Sequence, residues 1–296
     1  MKHISDETVI CRYMSVSAFL MLLNGEAFFP SIKKLREGDP LEASVGEAVN
    51  QMLWDIAVDG GEEELALELI FEEKSAKDKK KRASEVVDNL ESHFVRSVLG
   101  GSLASKIAER RAAWCWFGSD IESAAMWQIY GNRGIAVFTT VGHLKSALPT
   151  CLEHLVGGIT YVDRKSGSAR SIENLCACSK ELLRKPYFLK ASEFVSESEV
   201  RVVIRCNDPR GRGRIVEGID IGTLIREVKI SPFLSTGESE AIRKLVIEKH
   251  GEDSIDINQS SLRGDQMLRS IEEWGIEFNR YNDGDDADLP MFLRLL

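Results

Sequence analysis

Apolar and polar residues change period several times along the chain, and each change marks an element. Residues 9–14, VICRYM, form a short apolar run with the length and composition of a first strand. The stretch AFLMLLNGE that follows has helical spacing; Ser15 or Ser17 offers an N-cap hydroxyl and Asn24-Gly25 a stop. AFFPSIKKL comes next, closed by a turn at Gly38-Asp39-Pro40. From about 42 to 112 the period becomes helical and the charges segregate. Glu42 to Glu73 holds ten Asp/Glu and no Lys/Arg, and Lys74 to Arg82 is then strongly basic. This predicts a helical insertion at 42–112 with solvated, mutually compensating charge faces.

Beyond it, short apolar runs and helical stretches succeed one another. AAWCWFGS reads as a buried strand and DIESAAMWQIYG as a helix with Asp120 as first-turn acid. GIAVFTTV is a strand, HLKSALPTCL a helix and VGGITYVDR a strand; residues 171–185 are helical and stop before Pro186. A strand at 199–206 leads through Pro-Arg-Gly-Arg-Gly to a strand at RIVEGID. EVKISPF is a short strand, GESEAIRKLVIEKHG a helix closed by Gly251, and SIDINQSSL a last strand. Residues 264–296, with the acidic DGDDAD, form a C-terminal helix and tail. Strands clustered around a few helices, without regular βαβ alternation, predict one α+β domain over 1–296. Its sheet should be mixed and largely antiparallel.

Composition narrows the function classes. A formal charge of −9 disfavours a general nucleic-acid or membrane-surface binder. The polar start lacks a signal-peptide core and no apolar run is long enough to span a bilayer, so no membrane partner is expected. Six cysteines without a CxxC pair read as reduced thiols of a cytoplasmic protein. Histidines without ligand spacing, and the lack of HExxH, GxSxG or a Walker loop, point to no metal and no bound cofactor.

The chemistry-bearing residues fall in five stretches. CRYMS puts Arg12 in an apolar strand, where a guanidinium needs a carboxylate or a ligand phosphate. FGSDIESAAMWQIYG sets Trp127 and Tyr130 on one helix face, as core or as a ligand platform. KPYFLKASEF leads directly into SESEVRVVIR. Strand alternation there places Glu197, Glu199, Arg201, Val203 and Arg205 on one face and Ser198, Val200, Val202, Ile204 and Cys206 on an apolar one. This is either a half-solvated, charge-paired strand or a catalytic edge. PRGRGR at 209–214 reads as a hairpin turn with solvated arginines.

Together, RYMS, S-x-x-E-S-A-A-M-W-x-x-Y-G before Gly-Ile-Ala-Val, E-x-E-x-R, Ile-Ser-Pro and Ser-Ser-Leu resemble bacterial domain-of-unknown-function family 2971. The resemblance covers roughly 9–262 apart from the helical section, and that family name carries no activity. The order Arg, aromatic-x-Ser, Glu-x-Glu is in turn similar to the Arg–Ser–Glu class of ADP-ribosyltransferases. That similarity implies NAD as substrate and an unknown protein or nucleic-acid acceptor, in a toxin or phage-defence setting. Arg12 would hold the dinucleotide phosphate and Ser119 support the nicotinamide pocket. Glu199 would be the catalytic carboxylate, stabilising oxocarbenium charge, and Glu197 would activate the acceptor. Tyr13, Trp127, Tyr130 and Arg201 complete the expected ligand-binding set. Gly118-Ser119-Asp120 departs from that class's Ser-Thr-Ser, and Asp120 would repel a pyrophosphate. The alternative is a non-catalytic ligand- or protein-binding domain with a structural Arg/Glu network. A metal-dependent nuclease ranks third.

Overall fold

The computed structural model describes residues 3–39, 42–43, 47–61, 93–162, 185–208, 210–251 and 255–263. The elements run β1 (Val9–Ser15), α1 (Val16–Leu23), β2 (Glu26–Pro30), α2 (Ile32–Leu35), α3 (Glu47–Asp59), α4 (His93–Glu109) and β3 (Arg111–Phe117). Then come α5 (Ala124–Tyr130), β4 (Gly134–Thr140), α6 (Val141–Ala147), β5 (His154–Gly158), β6 (Thr160–Val162), β7 (Leu189–Ala191) and β8 (Glu199–Arg205). The last are β9 (Gly213–Glu217), α7 (Ile221–Leu224), β10 (Glu227–Ile230), α8 (Thr236–His250) and β11 (Asp256–Gln259).

A seven-stranded sheet in the order β11-β10-β4-β1-β3-β8-β5 organises the chain. Only β10–β11 is parallel in it, so the fold is α+β with a mixed, largely antiparallel sheet, as the pattern predicts. Two-stranded pairs β2–β9 and β6–β7 lie beside it. Both faces of the large sheet are covered. On one, Ile10, Met14, Trp114, Trp116, Val137, Val200 and Val202 pack with Phe19 and Leu22 of α1. On the other, Ala113 and Val203 pack under Trp54 of α3 and Leu103 of α4, while Cys11, Tyr13 and Phe117 pack with Trp127 of α5. Hence β4 is buried at every position.

Local chemistry sets the element ends. Ser15 caps α1, its Oγ accepting from Ala18 N at 3.2 Å, and Gly25 takes φ +75° as the chain turns into β2. Ser235 and Glu238 form a capping box at α8, which Gly251 closes at φ +92°.

Several expectations need correction. The helix after β3 begins at Ala124, capped by Ser123 Oγ, so Asp120 lies outside it. HLKSALPTCL is helical only to Ala147, because Leu148 must be extended before Pro149. VGGITYVDR is two strands in different sheets: β5 pairs with β8, and β6 with β7. β8 and β9 are not a hairpin, since β9 pairs with β2. Of the expected helical section, α3 and α4 are helices, residues 62–92 lie outside the described residues, and the section gives way at Arg111, where β3 starts. The expected helix at 171–185, up to residue 184, and the C-terminal helix and tail lie outside the described residues. Among the described residues no helix is long and apolar enough to cross a membrane. Cys11, Cys115, Cys151 and Cys206 are free thiols.

Candidate functional site

β8 runs between β3 and β5, and both its faces are buried as far as Ile204, which corrects the half-solvated strand. It also starts later than the alternation assumes. Ser198 sits in the left-handed region (φ 43°, ψ 43°), ending a 3-10 turn over Ser192–Glu197. Glu197 therefore belongs to that turn and not to the strand. The two carboxylates still meet, because Lys190 on β7 donates to Glu197 at 2.6 Å and to Glu199 at 3.1 Å.

Arg201 is 1% exposed and Glu199 2% exposed. A guanidinium has five N–H donors, and all of those of Arg201 are matched. Nε donates to Glu199 Oε1 (2.6 Å), one terminal nitrogen to Glu42 Oε1 (2.6 Å) and the Tyr187 carbonyl (2.8 Å), and the other to Glu42 Oε2 (2.9 Å) and Glu199 Oε2 (3.1 Å). Arg36 Nε donates to the Glu42 carbonyl at 3.0 Å, tying the chain just before Glu42 to this centre.

Burial pulls each ionisation one way and neighbouring charges pull it the other. Burial would raise the Glu199 carboxyl, but Arg201 and Lys190 outweigh it and hold the pKa at about 2. Burial would lower Lys190 and Arg201, yet the carboxylates beside them hold both above their ordinary values. Glu197 goes the other way: burial raises its pKa and Lys190 offsets only part of that.

Arg12 makes no hydrogen bond or ion pair within this network, although the Glu199 charge acts on its guanidinium against the effect of burial. It alternates with Ile10 and Met14, whereas Glu199 and Arg201 alternate with Val200 and Val202, so the two start from opposite sheet faces. The β1–β3 ladder registers at Cys11↔Phe117 alone, and beyond it the Arg12 guanidinium donates to the Cys115 carbonyl and lies 5.8 Å from the Trp114 ring. Among the described residues Arg12 has no ion pair, and burial lowers its pKa.

The other expected ligand-binding residues are dispersed. Trp127 is fully buried, with Tyr13 edge-on at 4.8 Å, and the Tyr13 hydroxyl accepts from Ser123 N at 2.8 Å; both are core residues. Tyr130 is exposed, stacks on Phe117 at 5.3 Å and donates to Glu197 at 3.4 Å. Ser119 Oγ is engaged in its own turn, donating to the Ile121 carbonyl at 2.8 Å.

Ser119 and Glu199 do share a cleft of about 570 Å³ at one end of the sheet. Its walls come from the segment before β1, from Gly118–Asp120, from Gly158, Ile159 and Tyr161, and from Val195 and Ser198–Val200. Two close approaches shape it. Gly118 N donates to the Ser198 carbonyl at 3.2 Å, and a Cβ at 118 would stand 2.7 Å from that oxygen. Tyr161 Oη accepts from Glu199 N at 2.8 Å. Arg12, Tyr13, Trp127, Tyr130 and Arg201 are not among its described lining residues.

Three residues carry more of the architecture than their sequence context suggests. Glu42 and Lys190 complete the Arg201 network. Glu122, 3% exposed, accepts from Trp127 Nε1 (3.0 Å), Ser261 N (3.1 Å), Ser261 Oγ (3.0 Å) and Ser260 Oγ, with Lys229 Nζ at 3.4 Å. Glu122, Trp127 and the Ser-Ser pair stand inside the motifs quoted above. Here they form a latch between the α5 entry and the end of β11. Among the described residues no group of three or more His, Cys, Asp or Glu could hold a metal ion. Comparisons with protein families, with curated proteins and with solved structures find no match to this chain.

Proposed function

We propose that the chain is a non-catalytic binding domain: the Arg201 network is structural, and the cleft at the end of β3, β5 and β8 receives a small ligand. One observation carries this reading. Every N–H of Arg201 and both oxygens of Glu199 are engaged within the protein. A carboxylate that stabilises a developing oxocarbenium must face the substrate with its charge available. Glu199 faces two cations, and separating it from them breaks buried pairs at roughly 3–5 kcal/mol each. A nuclease reading needs carboxylates free to bind metal, whereas Glu197 and Glu199 both engage Lys190. The free thiols fit a reducing, cytoplasmic setting.

ADP-ribosyl transfer from NAD is the second reading, favoured by the shared position of Ser119 and Glu199 on one cleft. Incubation with NAD separates the two, with nicotinamide release and the thermal unfolding midpoint as readouts. The binding reading expects no nicotinamide from the wild type and a lower midpoint for Glu199→Gln. Nicotinamide release that Glu199→Gln abolishes, at unchanged stability, supports transfer.

A further inference from the structure

We propose that the arginine–glycine turn at the start of β9 is a docking surface for single-stranded nucleic acid, independent of the cleft. The turn and its neighbours gather cations. Lys33 on α2, Arg210, Arg212 and Arg214 are all exposed, and among the described residues none of them makes a salt bridge. The Asp208 charge acts on Arg212, but its carboxylate is held by the backbone. Oδ1 accepts from Arg210 N at 3.0 Å, and Oδ2 from Arg212 N at 2.7 Å and Gly213 N at 3.2 Å. Lys34 is matched by Glu37, and Glu26 and Glu217 stand at the far end of the β2–β9 ladder. Four cations thus accompany one carboxylate, on a chain whose formal charge is −9. Like charges gathered on one turn repel one another, and a polyanion relieves that repulsion.

The backbone fixes the turn in advance. Gly211 at φ +63° and Gly213 at φ +142° take conformations that favour glycine. The buried Ser31 donates from its N to the Arg212 carbonyl at 3.0 Å and from its Oγ to that of Gly211. Little ordering of the main chain is then needed on binding. Beside the cations lies an exposed aromatic. Phe28 and Ile215 face each other across β2–β9, 42% and 50% exposed. The Phe28 ring leans over the turn: a Cβ at Gly213 would stand 2.9 Å from Phe28 Cζ, and one at Gly211 2.8 Å from Lys33 Cδ. Unpaired guanidinium groups next to an exposed ring suit a single strand, whose phosphates meet the arginines while a base stacks on Phe28. An acidic peptide would use the charges alone, and a duplex keeps its bases stacked away from the ring.

A fluorescein-labelled thymidine oligonucleotide of about twelve residues, titrated into the full chain and followed by fluorescence anisotropy, tests this. Affinity should fall about twenty- to fiftyfold between about 50 and 200 mM salt, as about three or four neutralised phosphates require. The double variant Arg210→Ala/Arg212→Ala should bind at least about tenfold more weakly at the lower salt. Its log–log salt slope should be shallower by about 1.4, which is two phosphates at about 0.7 each. Its melting temperature should not change, because both side chains are exposed and make no salt bridge. Phe28→Leu keeps apolar bulk but removes the stacking face; it should weaken binding about fivefold or more and leave the slope unchanged. No binding at the lower salt, or binding that the double arginine variant leaves intact, overturns the proposal. Equally tight binding of a labelled polyglutamate of the same charge, or wild-type affinity in Phe28→Leu, overturns it too, by making the turn a general surface for acidic polymers.

Discussion

Arg201 on β8 and Glu42, 159 positions apart in the chain, meet in a bidentate pair of 2.6 and 2.9 Å with both side chains almost wholly buried. The pair fastens the chain between α2 and α3 to the centre of the sheet. Removing one partner leaves a buried charge incompletely matched, so Glu42→Ala should lower the unfolding free energy by roughly 3–5 kcal/mol. Urea denaturation checks this. The double variant Glu42→Ala/Arg201→Met should lose less than the sum of the two single losses.

The two carboxylates flanking Ser198 should differ in their effect on stability. Glu199 is held at about 2 against an ordinary 4.5. A depressed folded-state pKa contributes stability that is present above the unfolded value and lost as pH falls through about 2. A shift of that size is worth about 3 kcal/mol. Glu197, raised by burial, has the opposite sign: its ionisation works against the fold once pH exceeds the unfolded value. Glu197→Gln should therefore cost less at neutral pH than Glu199→Gln, and wild-type stability should decline on the acid side of pH 4.5. Urea midpoints across that range measure both.

Much of the scaffold was legible from local signals. VICRYM, the Ser15 cap, GIAVFTT and the Gly251 stop each depend on neighbours within a few residues, and the α+β class followed from them. The site was less legible, because its determinants are distant or conformational. Glu197 left the strand because Ser198 takes a left-handed turn, which shifts the alternation by one element. The partner of Arg201 lies 159 residues away, and those of Glu122 lie 138 and 139 away. Arg12 and Glu199 read as neighbours in a motif order, yet alternation on separate strands starts them from opposite faces.

Glu122 gathers Trp127, Ser260, Ser261 and Lys229 around one buried carboxylate. Burial would raise its pKa, but the donors from Ser260, Ser261 and Trp127 outweigh that and lower it. Glu122→Ala leaves the donors of the buried Trp127 and Ser260 unmatched and should cost about 2–4 kcal/mol, whereas Trp127→Phe removes one hydrogen bond and should cost about 1–2 kcal/mol. Thermal unfolding of the two variants ranks them. Equal losses would mean that ring packing, rather than the carboxylate, holds the α5 entry to β11.

The most direct measurement is the unfolding free energy of Glu199→Gln at neutral pH. The amide keeps the shape of the side chain but removes the charge that Arg201 and Lys190 share. If the network is structural, stability falls by roughly 3–5 kcal/mol. A variant as stable as the wild type would contradict that role and return Glu199 to the list of groups held for chemistry.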